Sequence, residues 1–253
     1  MDPNVNVIQS LVAAARKKCS EIKDADLSWL CKPDAWKSVP YPCIFGGASN
    51  RFKIESESDC FSFMGRLALD KLVTGIDEAK KNKKSIVNVL GTKFFGKSHI
   101  IAAYVAMRMQ ACHTRNERPI IFLPYCSSLG KYGGGYLKYA MTLAFAANDN
   151  ALSAIAQLEN TDDMFSWLQG KQFDVAADQR NAIAEKLTEI TEEEKKVARD
   201  ILNRLTMIVT ANKCTIMSGF SANNEIMTKF YDKERANEHD ILFYGGFDEV
   251  RYY

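Results

Sequence analysis

The chain has 253 residues, 47% of them hydrophobic, and a formal net charge of +2. This is enough chain for one sizeable core and a small appendage, and the charge is too small to argue for a nucleic-acid or membrane surface. No apolar run approaches 18 residues, which excludes a membrane-spanning helix, and the first thirty residues lack the basic start and apolar centre of a secretion signal.

Seven cysteines (Cys19, Cys31, Cys43, Cys60, Cys112, Cys126 and Cys214) are scattered without a C-x-x-C pair. Only Cys112-His113 places a thiol beside a histidine, and two residues do not build a zinc site. Reduced, mostly buried thiols in an intracellular setting are the reading this spacing supports.

In chain order, residues 5–22 put Ile8, Leu11, Val12, Ala15 and Cys19 on one face, which predicts an amphipathic helix. Residues 27–45 carry Trp29, Trp36 and three of the six prolines with no long period, and read as an irregular, aromatic-anchored segment. Trp29, Trp36 and Phe45 are taken as a lid on the core rather than as ligands. Gly46-Gly47 marks a turn. Residues 60–80 return to helical spacing through Phe61, Met64, Leu67, Leu69 and Leu72, so one helix is expected up to the next strand. Five residues, Lys80 to Lys84, close it with a basic cluster, read as a solvated helix end favoured by the dipole. The alternative is a nuclear import signal or a phosphate contact.

Residues 85–90 (SIVNVL) form a short buried strand, and Gly91-Thr92-Lys93-Phe94-Phe95-Gly96-Lys97-Ser98 follows at once. That stretch satisfies G-x-x-x-x-G-K-[ST], and residues 99–109 then read as an apolar helix beginning at His99. Each part has its own physical task. The glycines let successive N–H groups turn inward around phosphate oxygens. The helix N-terminus adds partial positive charge there. Lys97 would reach the β- and γ-phosphates, and the Ser98 hydroxyl would ligate magnesium. The Phe94-Phe95 pair stands where many such loops carry Gly or Pro; it either points outward or crowds the cradle.

Residues 119–124 (PIIFLP) are a second strand. The glycines at 130 and 133–135 read as a flexible connection before a helix over 136–147. Residues 151–170 look helical, with Thr161 as a cap. The next strand, within residues 172–179, is interrupted by Asp174, and on its own residues Asp178 reads as a solvated loop aspartate. A long charged helix is expected over 181–203, with 192–196 (EEEKK) as its wet face. Residues 214–219 (CTIMSG) are a third strand, followed by Ser, Ala and the pair Asn223-Asn224 in a turn or facing a γ-phosphate. Residues 241–244 (ILFY) are the last. Strands alternating with helices predict a three-layer α/β/α sandwich with a mostly parallel sheet, behind a mainly helical N-terminal segment. The division expected is a lead-in over 1–84 and a P-loop domain over 85–253, continuing into a longer natural protein.

The order GTKFFGKS, RPIIFLPYC with YLKYAMTLAFA, AADQRNAI, TIMSGFSANN and ILFYGGFDE resembles the phosphate-loop NTPase domain of Crinkler effectors of oomycetes and some fungi, related to the retrotransposon hot spot proteins of trypanosomes. The likeness covers residues 85–249. It implies Lys97 and Ser98 as phosphate and magnesium ligands and Asp178 as the second acidic motif, with Gln179 where related ATPases have a catalytic Glu. It implies Asn223 and Asn224 as a sensor of the γ-phosphate. The departures are the aromatic loop, Tyr125 where an acidic residue is usual, and Asp174 within the strand.

The expected activity is binding and hydrolysis of a nucleoside triphosphate, ATP preferred, with Mg2+. By resemblance the protein is a secreted effector acting in the host cytoplasm or nucleus, contacting host proteins, with DNA association only through a further C-terminal domain. No residue stands out as the water-orienting base beyond Gln179 or Asp178; Arg180 and Arg235 are the arginines to test. The rivals are a nucleotide-binding interaction module without turnover, a kinase-like transferase, and a DNA-associated protein, against which the near-neutral charge argues.

Overall fold

Runs of Ile, Val, Leu, Phe and Ala too short for a helix and apolar on both faces are what a parallel sheet with helices on either side requires. A computed structural model describes residues 3–33, 35–45, 52–55, 58–91, 95–183, 190–220 and 238–243, and in it these runs lie side by side. The lead-in comprises α1 (Pro3–Asp24), β1 (Trp36–Pro40), β2 (Cys60–Met64) and α2 (Leu67–Lys81). Then come β3 (Ile86–Gly91), α3 (Lys97–Arg115), β4 (Ile120–Leu123), α4 (Cys126–Ala144), α5 (Asp149–Ala156), α6 (Thr161–Leu168) and β5 (Asp174–Ala177). A 3-10 turn (Arg180–Ile183), α7 (Glu192–Ala211), β6 (Ile216–Gly219) and β7 (Glu238–Phe243) complete the described elements.

The five-stranded sheet has the order β4-β5-β6-β3-β7, and every neighbouring pair is parallel. Alternate strand residues go to opposite faces. Ile120, Phe122, Ala176, Met217, Val87 and Val89 join one cluster with α2, α3 and the aromatic residues of the lead-in. Ile121, Leu123, Val175, Ala177 and Ile216 join the other, with α4, α6 and α7. The result is the three-layer α/β/α sandwich expected, and Phe61, Phe63 and Tyr41 of the lead-in share their cluster with Ile241 and Phe243 of β7.

Several elements differ from the sequence reading. The helix expected over 60–80 is a strand followed by a helix: Phe61 and Phe63 alternate inward, and β2 pairs antiparallel with β1, which lies inside the segment read as irregular. The glycine connection at 133–135 lies within α4, kinked at Gly133 (φ 51°, ψ −129°). The single helix over 151–170 is two, the second capped by Asn160, whose side chain accepts from the Asp163 N–H, rather than by Thr161. The charged helix begins at Glu192 behind a capping box of Thr191 and Glu194, and Lys195 within its supposed wet face is buried. Asp174, the residue that interrupted β5 in the pattern, is buried with three partners: Lys80 (3.0 Å), Arg108 (3.2 Å) and the Thr215 N–H (3.1 Å). Paired in this way, a carboxylate can stand at the start of a buried strand. Trp29 is buried and Phe45 is ringed by Tyr132, Tyr136 and Tyr139, whereas Trp36 is 67% exposed.

Candidate functional site

The strand–turn–helix around Lys97 stands at the carboxyl end of β3, and two glycines make it possible. Gly91 has φ 152°, and a Cβ there would run into the Phe243 carbonyl oxygen of β7. Gly96, at the N-cap of α3, is left-handed (φ 86°, ψ 22°), a conformation that side-chain-bearing residues adopt at a cost. The amides at the start of a helix have no partner inside it, so Lys97, Ser98 and His99 present N–H groups at the positive end of the α3 dipole. Lys97 is 7% exposed, and its Nζ donates to the Gly91 carbonyl at 2.9 Å, closing the two ends of the loop on each other. Burial pulls its ammonium below the ordinary lysine value, and the charge of Asp178 acts in the opposite sense. Phe95 stacks on Phe243 (centroids 5.3 Å, 24° between planes) and is partly buried against the core. Thr92, Lys93 and Phe94 lie outside the described residues.

Asp178 follows β5 directly, and it is 3% exposed rather than solvated, a correction to the reading of its own sequence context. Its N–H donates to Leu123 at 2.9 Å, and its carbonyl accepts from the Cys126 N–H at 3.3 Å, so the ends of β4 and α4 hold it on both sides. The side chain leans over the end of β6: a Cβ on Gly219 would strike Asp178 Oδ1 and the Ile101 side chain of α3. That bare position lets the carboxylate of β5 reach across an intervening strand towards the helix that carries Lys97 and Ser98. Burial, and then the Asp178 charge, push the Cys126 thiol well above its usual range.

Gln179 is 8% exposed, holds φ 59°, and its Nε2 is buried without a hydrogen-bond partner among the described residues. A left-handed non-glycine residue with an unsatisfied amide is the kind of local cost found at functional sites. Arg180 follows, with Nη1 donating to Ser218 Oγ of β6 at 3.1 Å. The Phe220 N–H donates to the Val89 carbonyl at 3.1 Å, so the chain leaves β6 alongside β3. Asn223, Asn224 and Arg235 lie outside the described residues.

His99 packs its ring on Phe52 (4.8 Å) and Phe61 (5.9 Å) of the lead-in, and burial, then the charge of Arg66, lower its pKa. Arg66 is the residue the sequence reading missed: its Nη1 donates to the Phe95 carbonyl at 2.9 Å. No motif contains it, and only the end of β2 places it there. Tyr125, read as a departure, is a buried residue whose hydroxyl accepts from Tyr41 at 3.4 Å.

The donors available for a metal are hard oxygens, the Ser98 hydroxyl and the Asp178 carboxylate, which fit magnesium, an ion that takes one or two protein oxygens plus phosphate and water. Among the described residues no three His, Cys, Asp or Glu side chains gather into a metal-binding group. All seven cysteines are free. His113 Nε2 lies 2.6 Å from the Cys19 Sγ, and burial pushes that thiol up to about 11. None of the helices among the described residues is long and apolar enough to cross a membrane.

No protein-family model and no curated relative matches the chain. Among solved structures it is similar to a chain of Drosophila ORC bound to poly(dA/dT) DNA and Cdc6, with 14% identity, a TM-score of 0.39, and coverage of 94% of this chain but 33% of that one. A second, Drosophila ORC bound to GC-rich DNA and Cdc6, gives 14% identity and a TM-score of 0.38 over the same shares. The chain thus spans about a third of the length of these neighbours. Likeness at this level carries no argument. What stands on strand order, burial and backbone geometry is an α/β domain in which the strand–turn–helix at Lys97 and the buried Asp178 both follow the carboxyl ends of parallel strands.

Proposed function

We propose that this chain binds a nucleoside triphosphate, ATP by preference, with Mg2+, and hydrolyses it slowly. The observation that carries the reading is the approach of Asp178 over Gly219 towards the start of α3. A chance strand–turn–helix would have no reason to bring a buried carboxylate from two strands away to the same place. Lys97 and the amides at the start of α3 would hold the phosphates, Ser98 and Asp178 would share the metal, and charge developing on the γ-phosphate would fall on Lys97. Gln179 can orient a water through its amide but cannot accept a proton as a carboxylate does.

Purified protein is expected to release phosphate from Mg-ATP, and Lys97→Ala to cut that rate by about two to three orders of magnitude. The neutral Gln179 beside Asp178 favours a second reading, a nucleotide-binding interaction module of the same fold. Tight Mg-ATP binding with no release above background selects it; no binding at all by the intact chain removes both.

Membership of the Crinkler and retrotransposon hot spot group, action inside host cells and contact with host proteins are part of the same proposal. Their support is the order of motifs from GTKFFGKS to ILFYGGFDE in this sequence.

A further inference from the structure

Arg66 stands at the N-cap of α2 with extended backbone (φ −142°, ψ 139°). Its N–H donates to the Leu30 carbonyl at 3.0 Å, its carbonyl accepts from Leu69 at 3.0 Å, and the preceding Gly65 N–H donates to Ala35 at 2.8 Å. The lead-in therefore anchors this residue from both sides of its backbone. From that anchor the side chain crosses to the loop. Nη1 donates to the Phe95 carbonyl and lies 2.8 Å from the point a Cβ of Gly96 would occupy, so the bare Gly96 is what admits the guanidinium.

We infer that Arg66 is a positioning residue for the phosphate loop, through which the lead-in sets the direction of a loop amide before nucleotide arrives. The inference rests on the nucleotide-binding reading above and adds a regulator of that site. Its mechanism is peptide geometry. No described peptide bond is cis, and in a trans peptide the carbonyl and the next N–H point in opposite directions. Holding the Phe95 carbonyl towards Arg66 therefore turns the Gly96 N–H away from the lead-in and into the loop. A flexible loop would have to restrict that rotation on binding; here the restriction exists beforehand.

Charge supplies an independent argument. Arg66 and Lys97 are both cations drawn partly out of water, and burial lowers the pKa of each. Both lie at the N-terminal end of α3, where the dipole already favours negative charge. A polyanion in the loop relieves this accumulation.

The test measures Mg-ATP and Mg-ADP affinity by calorimetry, and kcat and KM for phosphate release, in the intact chain, Arg66→Met and Arg66→Lys. Loss of one charge-assisted hydrogen bond predicts about tenfold weaker binding in Arg66→Met. Arg66→Lys keeps the charge without the planar fork and should recover part of the loss. KM should rise more than kcat falls, and the melting temperature without nucleotide should change little. Binding by Arg66→Met within twofold of the intact chain overturns the inference and leaves the nucleotide site standing. If Arg66→Met does not fold, Arg66→Lys decides: several-fold weaker binding supports positioning, and unchanged binding overturns it. If the intact chain binds no nucleotide, the underlying reading fails and this inference falls with it.

Discussion

At the scale of single residues, the site depends as much on a missing side chain as on the charged ones. Asp178 is useful at the edge of β6 only because Gly219 leaves the space above it open. Gly219→Ala puts a methyl group against both the carboxylate and Ile101, an overpacking expected to cost about 1–3 kcal/mol. Urea unfolding should show that loss, and Mg-ATP affinity should fall by more than the affinity measured with the metal chelated, because the displaced group is the proposed metal ligand. Equal losses with and without metal would separate Asp178 from magnesium. The strand–turn–helix around Lys97 and Ser98 was legible in the sequence, since its spacing is set by local backbone geometry. The burial of Asp178 was not, because the residues that enclose it, Leu123 and Cys126 on one side and Gly219 on the other, come from two distant segments. Arg66 was invisible for the same reason.

At the scale of elements, the errors have a common cause in short periods that fit two templates. Phe61, Met64 and Leu67 fall at helical spacing, while Phe61 and Phe63 alternate; pairing with β1 selected the strand, and β1 itself held too few residues to announce a period. In α4 the glycines suggested a break, yet the helix carries on past a single kink at Gly133. Asp174 argued against β5 from composition alone, and its cationic partners lie far away in the chain, on α2 and α3. The pairing makes a specific demand. Asp174→Ala would take that carboxylate from Arg108, whose side chain is 13% exposed and which keeps the more exposed Glu117 at 3.1 Å, and losing a hydrogen bond between charged groups of this kind costs about 1.5–3 kcal/mol. A shift in the urea midpoint measures it. Because this cluster sits at the opposite end of β5 from Asp178, nucleotide affinity of the folded variant should be unchanged.

For the whole molecule, the layered α/β class followed from alternating strand and helix patterns, but the strand order did not, since periodicity says nothing about which strands are neighbours. That order is the functional datum. It puts β6 between the strand that feeds the loop and the strand that carries the acid. It also places the lead-in against the same face as α3, with His99 packed on Phe61 and Arg66 bonded to Phe95 across the boundary drawn at residue 84. If the proposed nucleotide is bound there, sheet geometry makes the site a gauge of length. Neighbouring strands lie about 4.8 Å apart, so β5 and β3 are separated by roughly 10 Å. The carboxylate bending over the bare end of β6 covers the first interval. The second is left to the tail of the proposed nucleotide, whose terminal phosphate would stand nearest Asp178. Adenosine mono-, di- and triphosphate should therefore rank by the reach of their tails, with magnesium widening the last step the most, and a titration series of the three would read the distance out directly.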